Sequence, residues 1–145
     1  MQTFLPYSDY AQSARVLDRQ RLGKQRVETL QLLKANLDPA ASRGWVNHPA
    51  AKMWRSYELN LIAYGVAMCD EWLRRGYRDT CRDKILSYAD RAAYRGAPAW
   101  LGDEAFHASH RANLLRKDPD FYGQYGWSEN PDDPYIWPEI GRAHV

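Results

Sequence analysis

Apolar positions along the chain recur at steps of three and four, the period of a helix with one buried face. Val27, Leu30, Leu33 and Leu37 predict a helix from an Asp18 cap to about Asn36, closed by Asp38-Pro39. A shorter turn capped by Ser8 or Asp9 precedes it, and residues 39–48 form a loop. Pro49 suits a first helical position, and the stripe Met53, Tyr57, Leu61, Tyr64, Met68, Trp72 carries a second helix to a Gly76 cap. Gly65 inside it marks a bend or a close helix contact. A third helix is expected from Asp79-Thr80 to about Ala93, and a fourth from an Asp103 cap to Lys117, stopped by Pro119. No stretch alternates as a strand would, and nothing repeats. The fold class is all-α: a single compact domain of about four main helices with an aromatic, proline-rich tail.

Composition adds an outlier. The 145 residues include 6 Trp, 10 Tyr and 3 Phe, too many for a disordered segment or a simple coiled coil. No apolar run approaches the roughly 18 residues of a membrane span, and the N-terminus lacks the basic region of a signal peptide. Cys69 and Cys81, without CxxC spacing, read as half-buried thiols in a reducing cytoplasm.

The net charge of +2 conceals an asymmetry: residues 1–117 carry 19 Lys/Arg against 12 Asp/Glu, and residues 118–145 carry 1 against 6. A basic body with an acidic tail points to an anionic partner on the body, nucleic acid first. The tail, residues 128–145, is expected to pack on the domain, 1–127.

Three segments concentrate the candidate chemistry. Arg15, Arg19, Arg21, Lys24 and Arg26 form a basic ridge able to follow a phosphate backbone, with Gln25 placed to read a base edge. Arg15 joins it if the helix runs unbroken through Asp18, and Gly23 leaves room for a close backbone. His48, Lys52 and Arg55 gather at a helix start, where free N–H groups favour an anion. His107, His110 and Arg111, with Asn113 and Lys117, give the fourth helix a polar face. The HxxH pair lacks the carboxylate that zinc hydrolases keep in register, so no metal or other cofactor is expected. Glycine-rich phosphate loops and GxSxG elbows are absent.

RLGKQRVE at 21–28, MWRSYELNLIAYGVAMCDEWLRRGYRDT at 53–80 and HASHRANLLRKDPDFYGQYGW at 107–127 resemble, in that order, segments of the pyrimidine-dimer DNA glycosylases, the endonuclease V family. The resemblance implies a DNA repair enzyme of the base-excision kind, a glycosylase and AP lyase (an endonuclease in effect). It would bend damaged or modified duplex DNA, displace a base and cut the N-glycosidic bond with the protein's own α-amino group through an imine. A glutamate on the active-site helix assists, arginines hold phosphates, and aromatic residues of the tail lie against the opened DNA.

Two positions depart from that pattern. Gln2 is too large for efficient methionine removal, so the Met1 amine is expected to remain, with Thr3 displaced by one. Setting Arg26 on a DNA-contacting arginine puts the glutamate position on Val27 and leaves Glu28 one residue away, about 100° around the helix. Lys24 is then a substitute imine former if its surroundings lower its pKa. The expected catalytic set is Met1, Lys24 and Glu28. The expected DNA-binding set is Arg19, Arg21, Gln25, Arg26, His48, Lys52, His107, His110 and Arg111. The partner is DNA, with no membrane and no obligate protein partner, and the compartment is cytoplasmic. Two other readings remain open: a non-catalytic DNA- or RNA-binding module of the same fold, and an enzyme acting on a modified base or nucleotide through its histidines.

Overall fold

The computed structural model describes residues 1–41 and 43–138. Among these the chain forms seven α-helices and no strand: α1 (Tyr10–Val16), α2 (Arg19–Leu37), α3 (Pro49–Trp54), α4 (Glu58–Arg74), α5 (Arg82–Leu86), α6 (Glu104–Lys117) and α7 (Pro119–Tyr122). Single 3-10 turns fill several connections. Four aspartates start helices by accepting orphan backbone N–H groups: Asp9 from Gln12, Asp18 from Arg21, Asp103 from Ala105 and Asp118 from Phe121. Gly76, at φ +92°, ends α4 as expected. Residues 139–145 of the tail lie outside the described residues.

Helices α2 and α4 make the main packing contact. A Cβ on Gly65 would sit 2.4 Å from the Thr29 side chain, so this glycine marks a close helix approach rather than a bend. The expected buried face of α2 is corrected. Val27 is 45% exposed, and the buried positions are Leu22, Gln25, Thr29, Leu32, Leu33 and Ala35. Two of these are polar and satisfied internally, as when the Thr29 hydroxyl donates to the Gln25 carbonyl at 2.8 Å. Hydrophobicity alone therefore misplaces the stripe.

Other boundaries differ from the periodic pattern for local reasons. The single helix expected from Pro49 is two, because Arg55–Tyr57 leave helical geometry and Ser56 takes φ +75°. Met53, Tyr57 and Leu61 keep one spacing across the break, so the pattern conceals it. The expected third helix shrinks to α5 and a 3-10 turn over Ala89–Arg91. Asp79 takes the N–H groups of Cys81 and Arg82 and delays the start. The helix through Asp18 is also broken: Leu17 and Asp18 are extended, and the Arg75 guanidinium donates to the carbonyls of Arg15 and Leu17 at 3.1 and 2.8 Å. Arg15 is left off the ridge of α2. Cys69 and Cys81 are free thiols, fully rather than half buried.

The aromatic residues split between a core and a cover. Trp54 packs against Tyr64 and Trp100 at centroid distances of 5.6 and 4.9 Å, and Phe106 extends the cluster. Tyr122 stacks on Trp127 at 5.7 Å, and the Trp127 indole N–H donates to the Tyr7 hydroxyl at 2.9 Å. Beyond them, Tyr135 stacks on His110 at 4.5 Å, the Ile136 N–H donates to Ser109 at 3.1 Å, and Arg111 pairs with Glu129 at 3.1 Å.

Candidate active site

The site is built on the N-terminal segment, which runs extended through the middle of the helices. A buried extended segment must find partners for its backbone groups, and here side chains from several helices supply them. The Gln25 side chain donates to the Gln2 carbonyl at 3.0 Å and accepts the Phe4 N–H at 3.2 Å. The Tyr64 hydroxyl lies 3.0 Å from the Phe4 carbonyl, and the Trp54 indole donates to the Thr3 hydroxyl at 3.0 Å. His110 Nδ1 accepts the Leu5 N–H at 2.8 Å, His107 Nδ1 meets the Leu5 carbonyl at 2.8 Å, and Arg111 donates to the Pro6 carbonyl at 2.6 Å. Gln2 also donates to Asn113 at 3.1 Å.

This clamp delivers Met1 into a cleft of about 230 Å³. Its lining includes Met1, Gln2, Arg21, Lys24, Glu28 and Lys117. Lys24, Glu28 and Gln20 also line a wider groove of about 1020 Å³ that runs along the exposed face of α2 past Arg19, Gly23, Val27, Trp72 and Phe121. Met1 and Glu28 thus share one opening with cations around it. The residue offset expected to turn Glu28 away does not do so: Glu28 lines the cleft, and Val27 faces the groove.

Burial raises the Glu28 carboxyl above its ordinary value. The Met1 ammonium, Lys24, the Gln25 amide and the Gln2 N–H pull in the other direction without cancelling that effect. The Gln25 Nε2–H to Glu28 Oε2 distance is 3.0 Å. A carboxyl held at a raised pKa beside an amine is placed to exchange protons with it. His48 caps α3 by accepting the Ala50 N–H on Nδ1 at 3.0 Å. Its imidazole lies between Trp45 and Trp137, and burial and then the Met1 charge lower its pKa.

The other expected residues distribute unevenly. Arg19 is exposed at the groove with its guanidinium 5.6 Å from Tyr77, and Arg21 pairs with Asp18 at 3.2 Å. Lys52 is exposed on α3 and outside both linings. Arg26 lies over Trp72 at 4.3 Å and pairs with Asp79, which ties α2 to the start of α5. Gln25 is 1% exposed with its amide fully engaged, so it is not available to read a base. His107, His110 and Arg111 do not join the cleft either. Each is buried and committed to residues 5–6, as the preceding distances require. Among the described residues no group of three or more His, Cys, Asp or Glu side chains comes together as metal ligands would.

Sequence reasoning missed Tyr64 as a site-forming residue. Its place in an apolar stripe concealed the hydroxyl that reaches Phe4 and Gln25. It also missed the purpose of the HASHR run, whose polar face turns inward to an extended backbone that periodicity does not reveal.

A family model of pyrimidine dimer DNA glycosylases matches residues 1–85. The match takes in more than half the chain, including the N-terminal segment, α2 and α4. The chain belongs to the pyrimidine dimer DNA glycosylase family. No curated protein and no solved structure matches it. Membership supports a glycosylase-like function in DNA repair with DNA as the substrate. Met1, Lys24, Glu28 and Gln25 all fall inside the matched span, whereas the clamp from α6 and Lys117 lies beyond it. No helix among the described residues is long and apolar enough to cross a membrane.

Proposed function

We propose that this member of the pyrimidine dimer DNA glycosylase family is a combined glycosylase and AP lyase on damaged duplex DNA, with the Met1 α-amino group as nucleophile. The observation that supports it most is the convergence of Met1 and Glu28 on one cleft, held by a clamp that engages the backbone of residues 2–6. In its neutral form an α-amine carries a lone pair able to attack carbon and form an imine.

In this mechanism the amine lone pair attacks C1′ of the damaged nucleotide. The C1′–N bond to the base breaks, and the base leaves with the bonding electrons and takes up a proton. Loss of a proton from the new amine and protonation of O4′ by the Glu28 carboxylic acid open the sugar ring to a protonated imine. The Glu28 carboxylate then removes a C2′ proton. The resulting enamine expels the 3′ phosphate from C3′, which nicks the strand, and water hydrolyses the imine to free the amine. Arg21, Lys24 and Lys117 stand where they can hold the flanking phosphates. The groove along α2 offers room for DNA beside the cleft.

Nicking of duplex DNA carrying a pyrimidine dimer or an abasic site tests this reading. The wild-type chain is expected to nick both, and Glu28→Gln to lose roughly 10²- to 10⁴-fold in rate, the usual range for removing general acid–base assistance. Unchanged activity in Glu28→Gln, or no nicking by the wild-type chain, overturns it.

A further inference from the structure

Gln25 lies where the clamp and the carboxylate meet. Its amide nitrogen carries two protons, one given to the Gln2 carbonyl at 3.0 Å and the other to Glu28 Oε2 at 3.0 Å. Its amide oxygen accepts the Phe4 N–H at 3.2 Å and lies within hydrogen-bonding reach of the Tyr64 hydroxyl, which also reaches the Phe4 carbonyl. A buried primary amide has two donors and one acceptor oxygen to satisfy, and all are engaged here. With both ends fixed, the side chain cannot turn without breaking several bonds at once. The same network fixes its amide orientation, because a flipped amide would face N–H against N–H at Phe4.

We propose that Gln25 is a positioning residue that sets the distance and relative orientation of the Met1 amine and the Glu28 carboxylate, with Tyr64 as its brace. The inference rests on the amine mechanism and adds to it a residue that acts through the Gln2 backbone and the Glu28 carboxylate rather than on the sugar itself. Its chemistry is particular to an amide. A carboxylate at position 25 would repel Glu28 and the Gln2 carbonyl, and an apolar side chain would leave the Gln2 carbonyl, the Phe4 N–H and one oxygen of Glu28 without these partners.

The role has a signature that simple structural support lacks. Facing Glu28 are the Met1 amine from the N-terminal segment, Lys24 and Arg21 from its own helix, Lys117 from α6 and Tyr64 from α4. None of these changes identity when Gln25 is replaced, but the carboxylate loses a hydrogen bond that favours its charged form. Its pKa therefore rises further. The limb of the rate profile on which activity falls as pH falls moves to higher pH.

Single-turnover nicking of abasic duplex DNA across a pH series, with wild type, Gln25→Met, Gln25→Glu and Tyr64→Phe, tests this. Gln25→Met and Gln25→Glu are expected to lose on the order of 10²-fold in rate at saturating DNA, the scale on which misplaced reacting groups act. Their acid limb moves upward, and DNA affinity stays within about threefold of wild type. Tyr64→Phe, which keeps the ring and removes only the brace, gives a smaller change in the same direction and serves if a Gln25 variant fails to fold. An acid limb that stays in place in every folded variant, or a loss confined to DNA affinity, overturns the positioning role while the amine mechanism stands. A wild-type chain that does not nick abasic DNA overturns both.

Discussion

At the scale of single residues, the same side-chain type takes opposite roles according to burial. Of the three candidate histidines, His48 stays half-buried between two tryptophans, while His107 and His110 are interior hydrogen-bonding parts. Burial holds the His110 imidazole neutral, well below its ordinary value. The unfolded chain takes up a proton there near pH 6.5 and the folded chain does not, so stability present above that pH is lost as pH falls below it. Calorimetry from about pH 7.5 to about pH 5 is expected to show Tm falling in the wild type. The fall should be shallower in His110→Gln, whose amide oxygen can still accept the Leu5 N–H; equal slopes would contradict it. Glu28 acts in the other sense. Its raised pKa contributes stability at low pH that is lost as pH rises through it, so the ionised carboxylate weakens the fold at neutral pH. Glu28→Gln is therefore expected to raise Tm at neutral pH while it removes activity, and a lowered Tm would argue against that reading.

At the scale of helices, the caps were legible and the faces were not. Asp9, Asp18, Asp103 and Gly76 do what short polar side chains and glycine do at helix ends, so those boundaries follow from the sequence. The buried face of α2 did not, because Gln25 and Thr29 look polar until their partners on other elements are known. The break at Ser56 preserves the apolar spacing and leaves no mark in it. Gly65 was legible as a special position, and its consequence is now specific. Gly65→Ala puts a methyl 2.4 Å from Thr29 and should destabilise by about 1–3 kcal/mol as α2 and α4 are pushed apart. Gly23→Ala meets only the rim of the Trp72 ring at 3.0 Å, and the better helix propensity of Ala offsets that contact. Urea unfolding should separate the two by at least about 1 kcal/mol, and equal midpoints would contradict the assigned closeness. The Arg26–Asp79 pair belongs to this scale too. A double-mutant cycle with Arg26→Ala and Asp79→Ala should return a coupling of about 1 kcal/mol or more, where additivity would show that the two do not act as one latch.

Across the whole molecule, aromatic and polar side chains from several helices, with Arg111, are spent on holding the N-terminal segment. The aromatic run Tyr122 to Trp127 covers the N-terminal loop around Tyr7, and Glu129, Tyr135 and Ile136 lie on α6 behind the clamp. The basic ridge seen in the sequence is divided by this arrangement. Arg19, Arg21 and Lys24 remain at the openings, while Arg26 is an internal tie, as Arg111 is on α6. The charge asymmetry is plain in the sequence, but which cations face outward depends on long-range partners that no local pattern encodes. We expect the tail from residue 128 onward to support the clamp from behind. Removing residues 128–145 should lower Tm and speed amide hydrogen exchange in α6 more than in α4, whereas uniform or absent change would show that the tail is independent of the clamp.

The central claim is that the terminal amine, delivered by the clamp, is the group that bonds to the sugar. Borohydride trapping on abasic duplex DNA, followed by mass mapping of the modified peptide, tests it most directly. A reduced adduct on the α-nitrogen of Met1 is the predicted result. An adduct on the Lys24 side chain, or no adduct under conditions where the strand is nicked, would contradict it.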